Sequence, residues 1–223
     1  MADHRHLVSS EFRVAMAGGG RTMASSAETP SASARLYQPG AHVCLIYDDE
    51  TSRRDVVAQF VEEGLAARER VAYFTDADPD IIRGWLGERG LELPALPQFS
   101  THRAREVYCP DGAFDPDRMP AYWHAFDEEA RAGGFAAARA TGETSWSREV
   151  AGGERIVEYE AHLNDVLAGM PVTALCQYDV RRFDGATILD VLRIHPLMLM
   201  DGQLVENPYY VTPEKFFASR PYS

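Results

Sequence analysis

The sequence predicts a single α/β domain of three layers, in which a mainly parallel sheet is covered by helices on both faces. Short apolar runs rich in β-branched and aromatic residues alternate about five times with amphipathic helical segments, which is the pattern of such sheets. The sequence has no internal repeat and no second composition regime that would mark another domain. We place this domain at residues 39–213, between tails at 1–38 and 214–223, and we expect the first tail to be disordered because it has almost no large apolar residues.

The bulk composition limits the function. Among the 223 residues the net charge is −12, and acids are spread along the chain, which opposes direct binding to nucleic acid or to an anionic membrane. Three cysteines without a paired short spacing indicate reduced thiols. No segment has the apolar length of a transmembrane helix or of a signal peptide. We therefore expect a cytoplasmic protein that binds neither nucleic acid nor membrane.

The first half of the domain supplies two buried strands and two helices. The apolar run at 43–47 predicts a strand, and the following helix has Ser52 and Asp55 spaced as a capping box. A second strand is predicted at 70–75. The next helix starts at Asp78 as the cap and ends at Gly90.

The second half continues the alternation and ends in a hairpin. Residues 106–108 are a candidate third strand, and the helix after them tolerates Pro120 only if that proline lies in its first turn. The remaining segments are predicted as follows: a strand at 135–141, a helix ending at Gly169, a strand at 172–180, a short helix at 185–196 and a hairpin at 197–207 with an Asp-Gly turn.

Candidate functional residues follow the strands, because ligands of parallel sheets bind beyond the carboxyl ends. We expect a small-molecule pocket there, with apolar walls and a few polar groups that orient the ligand. Its candidate residues are Tyr47, Asp48, Asp76, Arg139, Glu143, Trp146, Tyr178, Asp179 and Arg181. Glu143 is expected to pair with Arg139 or Arg181. The alternative is that these strand ends are polar only because they meet water.

The first strand–turn–helix has lost the means to hold a phosphate. Such a loop needs glycines and a lysine, but residues 47–51 contain three acids and no glycine, and Lys215 is the only lysine of the chain. We therefore do not expect a nucleoside triphosphatase of the usual kind. We expect Arg53 and Arg54, which follow the acids, to be solvated on the helix.

Four residues raise the question of a metal or haem site. His42 and Cys44 share one face of the first strand, and Cys176 and His195 could join them. The simpler interpretation is a pair of buried cysteines beside a histidine at the start of the strand. We therefore expect no metal and no cofactor.

Several motifs together resemble one family. They are "HVCLIYDDE", "FVEEGLAARERVAYFTD", "GFAAARATGETSW", "YEAHLNDVL", "CQYDVRRF" and "LRIHPLMLMDGQLVENPYY", and they resemble the MEDS family, the methanogen/methylotroph sensory domain, over residues 40–212. The resemblance implies a RecA-like fold without its phosphate loop. It also implies recognition of a small organic or hydrocarbon-derived molecule. Relatives often carry an attached DNA-binding, STAS or kinase-type domain, for which we expect no room here.

The sequence and the resemblance lead to one functional prediction. We expect a non-catalytic sensory domain that acts in signal transduction or transcriptional regulation, either through a separate kinase, STAS or transcription-regulator partner or as a homodimer. Two alternatives stay open. One is a small hydrolase or weak nucleotidase that uses Glu143 and Asp179, and the other is an interaction module that binds no ligand.

Overall fold

The computed structural model describes residues 37–94 and 97–220, and in this part of the chain seven strands form one sheet. The strands are β1 His42–Tyr47, β2 Arg70–Thr75, β3 Phe99–Arg103, β4 Ala138–Glu143, β5 Val172–Asp179, β6 Leu197–Met200 and β7 Gln203–Glu206. Their order is β3-β2-β4-β5-β1-β6-β7, and every neighbouring pair is parallel except β6 and β7. The predicted mainly parallel sheet is confirmed.

Helices cover both faces of this sheet, as predicted. They are α1 Glu50–Ala66, α2 Pro79–Glu88, α3 Ala104–Tyr108, α4 Met119–Ala132, α5 Ile156–Leu167, α6 Gly185–Ile194 and α7 Pro213–Ala218. On one face Phe60 of α1 and Trp85 of α2 pack against the odd-numbered residues of β1. On the other face Trp123 of α4 and Leu163 of α5 pack against β2, β4 and β5. None of the helices described here combines the length and apolarity needed to cross a bilayer.

The starts of the first two helices differ in how well the sequence predicts them. Asp78 caps α2 and Pro79 occupies its first turn, as expected. The capping box of α1 is wrong, because the cap is Asp49, whose carboxylate accepts a hydrogen bond of 2.7 Å from the backbone N–H of Ser52. Asp55 lies within the helix and pairs with Arg89.

The third strand is also not where the sequence predicts it. Residues 106–108 belong to helix α3, and β3 precedes them at Phe99–Arg103, where Phe99 pairs with Val71. This edge strand has one large apolar residue in its sequence FSTHR, so it lacks the apolar run that marks a buried strand. Val107 and Tyr108 instead pack against the core between the sheet and α4.

The C-terminal hairpin forms as predicted. Asp201 and Gly202 both have positive φ, at 49° and 73°, which is the geometry that a two-residue turn of type I′ requires. The turn joins β6 to β7 and lies at the edge of the sheet next to β1.

Both domain boundaries need correction where the structure describes them. Tyr37, which we placed in the N-terminal tail, packs edge-on against Phe60 with the ring centres 5.3 Å apart. At the other end Phe216 of α7 is fully buried, so residues 214–220 belong to the domain. Residues 1–36, for which we predicted disorder, lie outside the described residues, and so do the last three residues of the C-terminal tail.

Candidate functional site

The carboxyl ends of four strands meet at one edge of the sheet. Strands β2, β4, β5 and β1 are neighbours in this order and run parallel, so Thr75, Glu143, Asp179 and Tyr47 end the strands side by side. The convergence that the sequence predicts for these segments is confirmed.

The centre of this edge is the side chain of Arg53. It belongs to a set of buried or half-buried polar groups that we call the Arg53 network, formed by Glu50, Arg53, Tyr73, Glu143 and Gln177. The Nη1 atom of Arg53 donates to the hydroxyl of Tyr73 at 2.8 Å, to Oε1 of Glu143 at 3.2 Å and to Oε1 of Gln177 at 2.7 Å. Its Nε atom donates to Glu50 at 2.9 Å. Arg53 is only 4% exposed, so the expectation that it is solvated is wrong.

The partners of Arg53 are themselves held in place. The hydroxyl of Tyr73 donates to Oε1 of Glu143 at 2.9 Å, and the hydroxyl of Thr75 donates to Oε2 at the same distance. The amide of Gln177 donates to Thr141 at 2.8 Å, which fixes the amide so that its oxygen faces Arg53. A buried charge is tolerated when it is paired and hydrogen-bonded in this way.

The electrostatics of the network keep Arg53 charged. Burial alone would lower the pKa of its guanidinium, but Tyr73, Glu50 and Glu143 outweigh burial and raise the pKa above the ordinary value. Burial raises the pKa of Tyr73 as well, and the Glu143 carboxylate adds to the effect. The tyrosine therefore stays neutral and donates its proton to Glu143.

Besides lacking the glycines and the lysine of a phosphate-binding loop, the start of helix α1 has no free site for an anion. The Asp49 carboxylate already accepts the backbone N–H of Ser52, and this hydrogen bond lowers the pKa of Asp49. The Asp49 carboxylate thus takes the place at the helix start that a phosphate occupies in a phosphate-binding loop. Asp48 and Glu50 add further negative charge beside it.

A groove of about 250 Å³ opens beside the Arg53 network, and we call it the Arg53 groove. Apolar and aromatic side chains form much of its wall, and polar groups lie along its floor and rim. Its lining residues are Tyr47, Glu50, Arg53, Arg54, Asp76, Ala77, Ile81, Ile82, Trp85, Glu143 and Ser145. The guanidinium carbon of Arg53 lies 5.5 Å from the centre of the Tyr47 ring and 5.9 Å from that of Trp85. Ile81 is 55% exposed, which is unusual for an isoleucine and leaves an apolar surface at the mouth of the groove.

A wider groove of about 530 Å³ lies on the other side of Tyr47, between the start of α1 and the C-terminal hairpin. Its wall includes the carboxylates of Asp48, Asp49, Asp55 and Asp201. This concentration of negative charge repels anions. Asp48 therefore belongs to an acidic surface and not to the Arg53 groove.

Three of the nine candidate residues from the sequence line the Arg53 groove: Tyr47, Asp76 and Glu143. Burial raises the pKa of Tyr47 to about 12, with a further rise from Asp179, so its hydroxyl stays neutral at the rim. Asp76 forms an ion pair of 3.3 Å with Arg105.

The placement of Arg139 at the site is wrong. Arg139 is the second residue of β4, so it lies near the amino end of the strand, away from the carboxyl edge. It is 3% exposed and pairs with Glu69 and Glu63, while its guanidinium carbon lies 4.7 Å from the centre of the Tyr37 ring. The predicted pairing of Glu143 with Arg139 or Arg181 is replaced by the pair with Arg53.

Trp146 and Tyr178 lie on the opposite face of the sheet. Trp146 is 2% exposed and stacks on Tyr108 with the ring centres 4.9 Å apart, where it lines an internal cavity of about 30 Å³. Tyr178 is fully buried, and its hydroxyl donates to Glu160 at 3.1 Å. Neither side chain contributes to the Arg53 groove.

Asp179 and Arg181 are paired with each other after the end of β5. Their side chains are 2.8 Å apart, and this hydrogen bond lowers the pKa of Asp179. Neither residue lines the Arg53 groove. They shape the loop that follows β5.

Sequence reasoning missed the central residue of the site, although a signal for it exists. Arg53 stands at the i−4 position from Val57, and the spacing continues to Phe60, Val61 and Gly64. All of these residues form the buried face of α1, so the helical period alone places Arg53 toward the sheet. The prediction instead followed residue type, because arginine side chains are usually exposed.

The fold and the edge residues together define a class: a RecA-like three-layer domain with an internal arginine network at its carboxyl edge and the Asp49 carboxylate at the start of its first helix. The chain belongs to the MEDS family, described as "MEthanogen/methylotroph, DcmR Sensory domain", whose sequence profile matches residues 41–196. It is thus a domain of a sensory and regulatory family.

Proteins similar to the chain include a curated relative and two solved structures. A segment of 59 residues is 41% identical to the transcriptional repressor DcmR of Methylorubrum extorquens (strain DSM 6343 / CIP 106787 / DM4), covering 26% of this chain and 22% of the repressor. The chain therefore matches less than a quarter of that relative's length.

The KaiC-like protein PH0186 of Pyrococcus horikoshii OT3 aligns with a TM-score of 0.54 and 16% identity, over 73% of this chain and 71% of that one. The flagellar accessory protein FlaH of Methanocaldococcus jannaschii aligns with a TM-score of 0.50 and 11% identity, over 74% and 75%. These structural similarities establish the fold alone.

Proposed function

We propose that the protein is a non-catalytic sensor of a small organic molecule, and that the ligand binds in the Arg53 groove. The observation that supports the proposal is that the charge of Arg53, at the carboxyl edge of the sheet, is already neutralised by protein groups. The guanidinium of Arg53 is saturated by Glu50, Tyr73, Glu143 and Gln177, and the groove beside it presents the exposed Ile81. Such an edge offers an apolar surface with fixed polar groups, which is the usual form of a small-molecule site.

The arrangement of the acids argues against catalysis. A general base must have a free lone pair within reach of the proton that it takes. Each carboxylate oxygen of Glu143 already accepts two hydrogen bonds: Oε1 from Tyr73 and Arg53, and Oε2 from Thr75 and, at 3.4 Å, from the backbone N–H of Asp76. Asp179 is engaged by Arg181. A hydrolase or nucleotidase based on Glu143 and Asp179 is therefore the weaker hypothesis.

The groove favours an uncharged ligand with an apolar body. Its cations Arg53 and Arg54 are both paired with protein carboxylates, and an anionic ligand would also meet the carboxylates of Glu50 and Asp76. The rings of Tyr47 and Trp85 and the side chain of Ile81 offer apolar contact area. Small neutral derivatives of hydrocarbons meet both conditions.

The signal would pass to another protein. A similar segment occurs in a transcriptional repressor, which supports a role in transcriptional regulation. We propose that a kinase, a STAS protein or a transcription regulator receives the signal in trans, or that a second copy of this chain does so.

Ligand binding can be measured by nuclear magnetic resonance and calorimetry. We would titrate the labelled protein with a panel of small neutral compounds: halogenated and methylated one- and two-carbon molecules, short alcohols and short ketones. The prediction is that at least one compound binds saturably and shifts the resonances of Ile81 and the indole of Trp85. The indole resonances of Trp123 and Trp146, which lie on the other face, are expected to move little.

A pair of matched variants tests the location. Ile81→Asp places a carboxylate at the mouth of the groove and is expected to weaken binding at least tenfold. Leu189→Asp changes an equally exposed residue, 54% against 55%, on α6, which packs on the other face, and is expected to leave binding unchanged. Equal loss of binding in both variants would contradict the assignment to the groove, and so would shifts confined to Trp146.

A further inference from the structure

A second cluster of polar side chains lies on the face of the sheet opposite the Arg53 groove. We call it the His42 cluster, and it consists of His42, Glu160, Cys176 and His195. One potential ligand atom from each residue lies within 4.8 Å of all the others. His42, Glu160 and His195 are at most 2% exposed, and Cys176 is partly buried. Three of these residues were considered from the sequence, whereas Glu160 on α5 was not, and Cys44 lies outside the cluster.

Hydrogen bonds at Nδ1 fix the orientation and the tautomer of both imidazole rings. Nδ1 of His195 lies 2.8 Å from the carbonyl oxygen of Val191, so Nδ1 carries the proton. Nδ1 of His42 lies 3.1 Å from Oδ1 of Asn164, whose amide nitrogen donates to the carbonyls of Ala161 and Ile194. The Asn164 oxygen is therefore an acceptor, and Nδ1 of His42 is also a donor. Each ring thus turns its Nε2 atom toward the centre of the cluster, which is the arrangement of metal-binding histidines.

The Nε2 atom of His195 provides a second observation, because it is a buried polar atom without a hydrogen-bond partner among the described residues. Its closest charged neighbour is Oε2 of Glu160 at 3.6 Å. With its proton on Nδ1, this atom presents a lone pair toward a carboxylate. A buried lone pair facing an anion is unfavourable unless a cation lies between them.

The spacing of the donor atoms matches a small metal ion. Oε2 of Glu160 lies 2.9 Å from Nε2 of His42 and 3.2 Å from Sγ of Cys176, and that sulfur lies 3.4 Å from Nε2 of His42. Tetrahedral Zn²⁺ with bonds of about 2.0 Å to N or O and about 2.3 Å to S requires ligand separations of roughly 3.2–3.7 Å. The shortest pair would have to move apart, and the pairs that are separated by up to 4.8 Å would have to move together, to reach this range.

We propose that His42, Glu160, Cys176 and His195 form a binding site for one divalent transition-metal ion of the Zn²⁺ type. Two neutral imidazoles, one thiolate and one carboxylate carry two negative charges, which a divalent cation neutralises inside the core. Mixed nitrogen, sulfur and oxygen donors suit zinc better than magnesium or calcium. The adjoining cavity of about 30 Å³, which Glu160 and Cys176 help to line, has room for about one water molecule and none for a haem.

The site would join elements that are distant in the sequence. His42 begins β1, Cys176 lies in β5, Glu160 is on α5 and His195 follows α6. A bound ion would clamp the two helices to the central strands and stabilise the folded state. Without it, the contact of 2.9 Å between His42 and Glu160 would satisfy part of the cluster, but Nε2 of His195 would have no hydrogen-bond partner among the described residues.

The experiment uses the untagged chain with His4 and His6 changed to Gln, which removes the only other closely spaced histidines. Metal is stripped with a chelator, Zn²⁺ or Co²⁺ is added back, and the metal content is measured by mass spectrometry. We expect one equivalent of either ion, a higher melting temperature with Zn²⁺, and a near-ultraviolet thiolate-to-cobalt charge-transfer band. Cys176→Ser is expected to remove that band, and Cys109→Ser, which changes a buried thiol outside the cluster, is expected to keep it.

The outcomes separate metal binding from a purely structural network. If Cys176→Ser does not fold, X-ray absorption of the zinc-loaded chain decides, with one sulfur at about 2.3 Å and nitrogen or oxygen neighbours at about 2.0 Å expected. Less than a tenth of an equivalent of metal after reconstitution would overturn the proposal. A cobalt spectrum without a thiolate band, or one unchanged by Cys176→Ser, would overturn it as well.

Discussion

The guanidinium of Arg53 and the carboxylate of Glu143 lie 3.2 Å apart at the carboxyl edge of the sheet, and both are enclosed by further protein donors and acceptors. The side chains are 5% and 17% exposed. A pair of charges enclosed in this way depends on each partner, because loss of one leaves the other buried and uncompensated.

Removal of the Arg53 charge should therefore destabilise the fold strongly. Arg53→Met is expected to lower the free energy of unfolding by about 3–5 kcal/mol, because Glu143 and Tyr73 lose their cation. The neighbouring Arg54→Met is the matched control, since the Arg54 side chain is 37% exposed and its ion pair among the described residues is with Glu50. Its expected cost is about 0.2–1 kcal/mol. Urea unfolding of the two variants measures both values, and equal losses would show that the pair with Glu143 is unimportant.

Two helical glycines should respond in opposite directions to alanine. A Cβ added to Gly64 of α1 would lie 2.8 Å from Cδ of Arg139 and 2.9 Å from Cγ2 of Val71, so Gly64→Ala is expected to cost about 1–3 kcal/mol. A Cβ added to Gly84 of α2 would have no described atom within 4 Å. Because alanine favours a helix more than glycine does, Gly84→Ala should stabilise the protein by about 0.5–1 kcal/mol. Thermal and urea unfolding would reveal the signs. A stabilised Gly64→Ala variant would contradict the close packing of α1 on β2 and β4.

Trp146 should prove to be a core residue. Its ring stacks on Tyr108 and lies edge-on to Phe114, so Trp146→Ala is expected to lower the free energy of unfolding by about 3–5 kcal/mol. Tyr209→Ala, at a residue that is 60% exposed, should change it by at most about 0.5 kcal/mol.

The same tryptophan offers a test of where the ligand binds. Trp146→Phe keeps most of the packing and should fold, and because Trp146 lies on the other face it should bind the ligand of the Arg53 groove with unchanged affinity. A loss of affinity in this folded variant, measured by calorimetry, would move the ligand site to the cavity under Trp146.

Most of the fold follows from the sequence because the apolar runs of β1, β2, β4 and β5 and the periods of the helices are strong. The edge strand β3 was missed because an edge needs few apolar residues, and Phe99 is the one large apolar residue in it. The Asp-Gly turn of the hairpin was predictable because its chemistry is local.

The candidate site was harder to predict. The parallel-sheet rule pointed to Tyr47, Asp76 and Glu143, which line the Arg53 groove because each ends or follows a strand. It failed for Arg139 because the predicted strand at 135–141 places this residue near the carboxyl end, whereas β4 runs from Ala138 to Glu143 and has Arg139 near its amino end. Arg53 was missed because arginine is usually exposed, although the helical period of α1 places it on the buried face. Glu160 was missed because its burial depends on a partner that is distant in the sequence, His42, which lies 118 positions earlier.

The central claim is that protein groups fill the place where a phosphate-binding loop would hold a nucleotide. Titration of the wild-type chain with ATP and Mg²⁺ in a calorimeter, followed by an assay for released phosphate, tests it most directly. We expect no saturable heat and no hydrolysis, because Asp49 occupies the amide at the start of α1 and Arg53 is already neutralised. Saturable binding of ATP and Mg²⁺, with hydrolysis that Glu143→Gln abolishes, would contradict the claim.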